Sequence, residues 1–141
     1  MEDLTLEVAN RIINAAVRKS QKIGVAQNIA LVDRGGNLKA FIRMDGAWLG
    51  SIDIALKKAR TARYFDMETS TLGKMAKPGG PLYGIEVSNG GLIVFGGGLP
   101  LANGEGEVIG AIGVSGGTVK EDESVADAGR EAAEDLLRRA A

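Results

Sequence analysis

The chain of 141 residues contains no histidine and no cysteine. Without histidine there is no imidazole general base, no Ser-His triad, no His-held zinc and no proximal imidazole for haem iron. Without cysteine there is no disulfide and no thiolate chemistry. Acid–base work falls to carboxylates, lysine, tyrosine or a bound cofactor or metal. Calcium-loop spacing is absent, and no metal site is expected. Lysine and arginine number 17 against 18 acidic residues, a net charge of −1. That balance offers no basic face for nucleic acid or an anionic membrane. No apolar run approaches the ~20 residues that span a bilayer. Met1-Glu2-Asp3 lacks the basic and apolar regions of a signal peptide, so the cytoplasm is the expected compartment. The length fits one domain, 1–141, able to bury its own core.

Glycine is what the chain has in excess. Fourteen of its 21 glycines lie between Gly79 and Gly117, and three are consecutive in "FGGGLPL", 95–101. Such a run costs conformational entropy, which suggests close backbone approach to something: a second subunit, or a flat ligand held by main-chain N–H groups.

The pattern along the chain predicts an α+β domain. Thr5 caps a first helix with Ala9, Ile12, Ile13, Ala16 and Val17 at helical spacing, stopped by Gly24. "NIALV", 28–32, and "LKAFIRM", 38–44, read as a hairpin around the turn Asp33–Asn37. A helix over 45–65 carries a core stripe of Trp48, Ile52, Ala55, Leu56, Ala59 and Ala62. Its third face mixes Ser51, Ile54, Lys58, Thr61 and Phe65. That face is either an edge of the core with Lys58 snorkelling outward, or a pocket or subunit contact. A short helical turn over 68–77 has Thr69 or Ser70 as its cap. Strands are expected at Leu92–Phe95, Leu99–Ala102 and 107–115, the last buried on both sides, with "NGEG", 103–106, as a turn. The capping box Thr118-x-x-Glu121 opens a last helix burying Val125, Ala128, Ala132, Leu136 and Leu137. The order α-β-β-α-(α)-β-β-β-α makes a mostly antiparallel sheet of about five strands covered by helices, a profilin- or PAS-like sandwich.

None of the glycine runs makes a nucleotide fingerprint. There is no Gly-x-x-x-x-Gly-Lys-Ser/Thr, and "GEGEVIG", 104–110, is too long for Gly-x-Gly-x-x-Gly and enters a strand. "GVSGGT", 113–118, opens a helix, but Glu121, Asp122 and Glu123 in its first turn would repel a phosphate. Asp33 and Asp45 could be paired carboxylates, though turn and cap roles explain them better. Tyr83 is a phenolic acid–base group, a haem ligand, or a packing tyrosine with its hydroxyl at the surface. The four methionines read as core filler.

Four blocks carry a resemblance: "LVDRGGNLKAFIRMDGA", "SIDIALKKARTA", "PLYGIEVSNGGLIVFGGGLPL" and "VIGAIGVSGGTVKEDESVADAG". In this order and spacing, from about Leu31 to Gly129, the chain resembles the GlcG-like, haem-binding-protein-S-like family. It is most similar to small stand-alone members encoded beside glycerol or diol utilisation enzymes. The module is also similar to the C-terminal domain of one cobalamin adenosyltransferase type. The family's Lys-Ala-x-Thr-Ala block matches Lys58–Ala62, and its Gly-Gly-Gly-x-Pro block matches Gly96–Pro100.

The resemblance implies an αβ sandwich, a homo-oligomer (dimers forming tetramers or octamers) and haem as a ligand. Relatives that ligate haem through histidine have no counterpart residue here. A threonine ligates in another branch, and Thr61 and Thr69 both lie in comparable blocks. The expectation is therefore a non-enzymatic small-molecule-binding accessory protein, for haem, another tetrapyrrole, or a polar metabolite or corrinoid, in a catabolic or cofactor-handling pathway. Its ligand-binding residues would be Lys58, Thr61, Tyr83, Gly96, Gly97 and Gly98. The competing expectation is a lyase or isomerase of small oxo- or hydroxy-acids, with Lys58 as base or electrophile and backbone N–H groups stabilising an anion.

Overall fold

A computed structural model describes residues 3–139. Helix α1 (Leu6–Ile23) starts where Thr5 Oγ1 accepts from the Val8 N–H, and ends at Gly24, whose φ of 74° is left-handed. Strands β1 (Asn28–Asp33) and β2 (Leu38–Arg43) form the hairpin. Its turn is closed by Asp33 Oδ1, which accepts from Gly35 and Asn37. Helix α2 (Gly50–Phe65) and the short α3 (Thr69–Ala76) follow. A long loop with one 3-10 turn at Ile85–Val87 leads to β3 (Gly98–Ala102), β4 (Val108–Ser115) and α4 (Val119–Arg139). The capping box closes as expected: Glu121 N–H donates to Thr118 Oγ1 and Thr118 N–H to Glu121 Oε1.

The sheet is antiparallel throughout, in the order β2-β1-β4-β3. Among the described residues it has four strands, not five. Leu92–Phe95 is apolar enough for a strand, yet its N–H groups go elsewhere: Leu92 donates to Glu86 O and Ile93 to Thr61 Oγ1. Helices α1 and α4 cover one face of the sheet, burying Ile12, Ile13, Val125 and Leu137 against Ile29, Leu31, Leu99, Leu101, Ile112 and Val114. Helix α2 covers the other through Ala55, Ala59 and Ala62 against Ala30, Val32 and Ala111. A register shift between β3 and β4 leaves Ile109 as an extra residue and returns it to the α1/α4 side.

Several sequence expectations shift. Helix α2 begins at Gly50, so Trp48 precedes the helix and lies 68% exposed instead of in the core. For the same reason Asp45 sits in a turn and caps nothing. Helix α4 rotates by about one residue: Ala126, Gly129 and Ala133 face the sheet, while Ala128 and Ala132 are only half-buried. Neither Thr69 nor Ser70 caps α3, because Glu68 holds the cap position and Thr69 bonds elsewhere. Met44, Met67 and Met75 are half-buried, and Met1 lies outside the described residues. Among the described residues no helix is long and apolar enough to cross a membrane, and no acidic cluster could hold a metal ion.

Candidate functional site

Lys58 is the largest fully buried side chain, with 0% exposure. It does not snorkel. Its side chain leaves α2 on one face of the sheet and ends at the first turn of α4, on the other. There Nζ donates to Val114 O at 2.8 Å and to Asp122 Oδ2 at 2.9 Å, and it stands 4.9 Å from the centre of the Phe95 ring. Asp122 Oδ1 accepts from the Gly117 N–H. Both charged groups are thus hydrogen-bonded, as burial demands. Burial still lowers the Lys58 amine below its ordinary 10.5, against the pull of Asp122 and Glu123. Burial likewise raises Asp122 above 3.8, against Lys58 and the Gly117 N–H.

The triple glycine is what lets this lysine through. A Cβ at Gly97 would stand 2.6 Å from Lys58 Nζ and 2.7 Å from Val114 O, and Gly97 has a φ of 123° that side chains avoid. At Gly98 a Cβ would stand 2.5 Å from Lys58 O, so the helix backbone itself rests on the start of β3. Gly96 packs against the Glu123 side chain. Lys58 and the three glycines therefore come together.

Thr61 joins them. Its hydroxyl donates to Lys57 O at 2.7 Å and accepts from Ile93 N–H at 3.1 Å, clipping the 92–97 segment to α2. Thr69, at the start of α3, holds the next stretch, accepting from Gly98 N–H at 3.0 Å. Tyr83 is apart from this buried group, 67% exposed in the Pro-Gly loop. That loop is held on α3, where Leu82 N–H donates to Met75 O. Val94 also lies on α3, over Gly73, where a Cβ would meet Val94 O. One short helix thus supports both the Tyr83 loop and the Phe95 segment. These segments expose four apolar side chains, Leu82, Tyr83, Val87 (83% exposed) and Phe95 (43%). A separate apolar groove of about 540 Å³ lies between β2 and α2, lined by Leu38, Phe41, Leu49, Ile52, Asp53 and Leu56.

The result is a small antiparallel α+β module in which a buried lysine runs from α2 to the first turn of α4 behind a glycine triplet. The chain belongs to the HbpS-like family: the model described as "Haem degrading protein HbpS-like" matches residues 4–131. It is 41% identical over 125 residues to an uncharacterized 15.0 kDa protein of the dhaT-dhaS intergenic region of Citrobacter freundii, covering 88% of this chain and 87% of that one. The crystal structure of Klebsiella pneumoniae protein ORFY superposes with a TM-score of 0.88 at 41% identity, covering 91% and 88% of the two chains. The PduOC:heme complex superposes with a TM-score of 0.87 at 35% identity, covering 92% and 94%.

The buried Asp122 and the exposed Phe95 beside Lys58 are the residues that sequence reasoning did not single out. Asp122 sat among three acids read as a helix start that would repel a phosphate. Nothing in sequence ties it to a lysine 64 residues away. The only available signal was Lys58 itself, a cation on the mixed face of α2.

Proposed function

We propose that the protein is a small-molecule-binding accessory protein whose ligand is haem or a related tetrapyrrole, lying on the apolar surface of residues 82–95. The observation that carries this reading is the four exposed apolar side chains Leu82, Tyr83, Val87 and Phe95, one of them a phenol, in loop segments held on α3 at Leu82 and Val94. Tyrosinate is an established haem-iron ligand, and this chain has no imidazole. The relative solved with haem has the same fold over nearly the whole chain. Thr61 and Thr69 are poor ligands, because each hydroxyl is buried and already holds a backbone N–H. Lys58, Thr61 and Gly96–Gly98 form the inner wall: they fix the segment that presents Phe95 and act as positioning residues.

The test is a ferric haem titration followed by absorption and resonance Raman spectra. The wild type is expected to give oxygen-ligated, high-spin iron, and Tyr83→Phe to lose the tyrosinate signature. A six-coordinate low-spin complex, or an unchanged spectrum in Tyr83→Phe, would overturn it. The protein would work in the cytoplasm as a dimer-based tetramer or octamer. The exposed Trp48 and the neighbouring groove supply an apolar surface for that assembly. A single 14.7 kDa species in light scattering would contradict it.

The lowered Lys58 amine favours a second reading, an enzyme acting on small oxo- or hydroxy-acids. It requires the 92–97 segment to open. Borohydride trapping of an oxo-acid on Lys58 would support it, and absence of trapping would leave the binding reading in place.

A further inference from the structure

We infer that Asn89 is a site of spontaneous deamidation and isoaspartate formation, set apart by the fold from the chain's other Asn-Gly pair. In this reaction the backbone nitrogen of the following residue attacks the carboxamide carbon. The new C–N bond closes a succinimide, and ammonia leaves with the displaced proton. Water then opens either carbonyl to give aspartate or isoaspartate. Glycine in the following position leaves that nitrogen unhindered.

The sequence holds two such pairs, Asn89-Gly90 and Asn103-Gly104. They sit in opposite environments. Asn103 is half-buried in the β3–β4 turn, and its Oδ1 accepts from Glu105 at 2.9 Å and Glu107 at 3.0 Å. Its backbone N–H and C=O are both bonded within the same turn. The side chain is pinned and the backbone cannot turn toward it without breaking the hairpin. Asn89 and Gly90 are both exposed in the long loop, and among the described residues the Asn89 side chain bonds only the neighbouring Ser88 hydroxyl. Asn89 also holds a φ of 54°, a left-handed conformation that a longer isoaspartyl backbone would relieve. The product matters to the fold locally. Gly91 N–H closes the turn onto Ser88 O, and Gly91 lies beside the Lys57 amine. Deamidation places a new carboxylate two residues before Gly91, and isoaspartate lengthens the backbone inside the turn.

The test is incubation of the full chain in mildly alkaline buffer, with peptide mapping and labelling by an isoaspartyl methyltransferase and its methyl donor. Folded protein is expected to convert Asn89 in large excess over Asn103, with methyl acceptance at position 89. Denatured protein is expected to convert both at similar rates, because only the shared Asn-Gly sequence then counts. Asn89→Gln is expected to abolish the dominant event. Folded protein that converts Asn103 as fast as Asn89, or that keeps Asn89 intact while the denatured chain converts, would overturn the inference.

Discussion

The two faces of the sheet are built on different scales. On the α1/α4 side, isoleucines and leucines interdigitate: Ile12, Ile29, Leu31, Ile112 and Leu137 hold the helices off by the length of a side chain. On the α2 side, alanine and glycine let backbone meet backbone. A Cβ at Gly113 would stand 2.1 Å from Ala55 O, and one at Gly98 2.5 Å from Lys58 O. The first face is an ordinary apolar core, tolerant of small volume changes. The second has no room to adjust, and it is the one a charged side chain crosses. From this close-packed side the Lys58 stem reaches Asp122 in the first turn of α4. The ligand surface proposed above hangs on that crossing through Phe95.

The contrast can be broken from its strongest point downward. Lys58→Met alone leaves Asp122 buried without its cation, and should cost about 3–5 kcal/mol in denaturant unfolding. Gly113→Ala drives a methyl group into the α2 backbone and should cost ~1–3 kcal/mol or more. Ile112→Val, one residue away but on the aliphatic face, should cost only ~0.5–1.5 kcal/mol. A loss as large as that of Gly113→Ala would show that the two faces do not differ as described. The double variant K58M/D122N removes both charges while keeping an acceptor for the Gly117 N–H. It should lie within ~1 kcal/mol of wild type, because a buried ion pair offsets little more than its own desolvation.

The same double variant serves as a neutral reference for pH. Between the lowered folded value of Lys58 and the ordinary 10.5, the unfolded amine binds a proton that the folded one does not. Wild-type stability relative to the variant should therefore rise with pH through that window. Between 3.8 and the raised folded value of Asp122 the opposite holds, so relative stability should fall as pH rises. Stability curves measured across pH should show the wild-type difference lowest between the two windows. A maximum there would mean that pairing outweighs burial for both groups.

Local signals in the sequence carried the helices and turns well. Thr5, Gly24, Asp33 and the Thr118–Glu121 box each act within a few residues, and each does what its chemistry predicts. The misplaced elements fail where a distant partner decides. Leu92–Phe95 has strand composition, but Thr61 captures its backbone. Trp48 has the right phase for a helix that starts too late to include it. The site was legible in part: Lys58, Thr61 and the triplet could be joined from the mixed face of one helix. The Asp122 and Val114 partners of Lys58 lie 64 and 56 residues from it, beyond any periodicity.

If the buried lysine supports the ligand surface from behind, ferric haem affinity falls in K58M/D122N once unfolding curves establish that the variant is as stable as wild type. Loss of the cation at 4.9 Å from the Phe95 ring should loosen that ring and weaken binding several-fold. Equal affinity in the two proteins would contradict that support and reduce Lys58 to a part of the core.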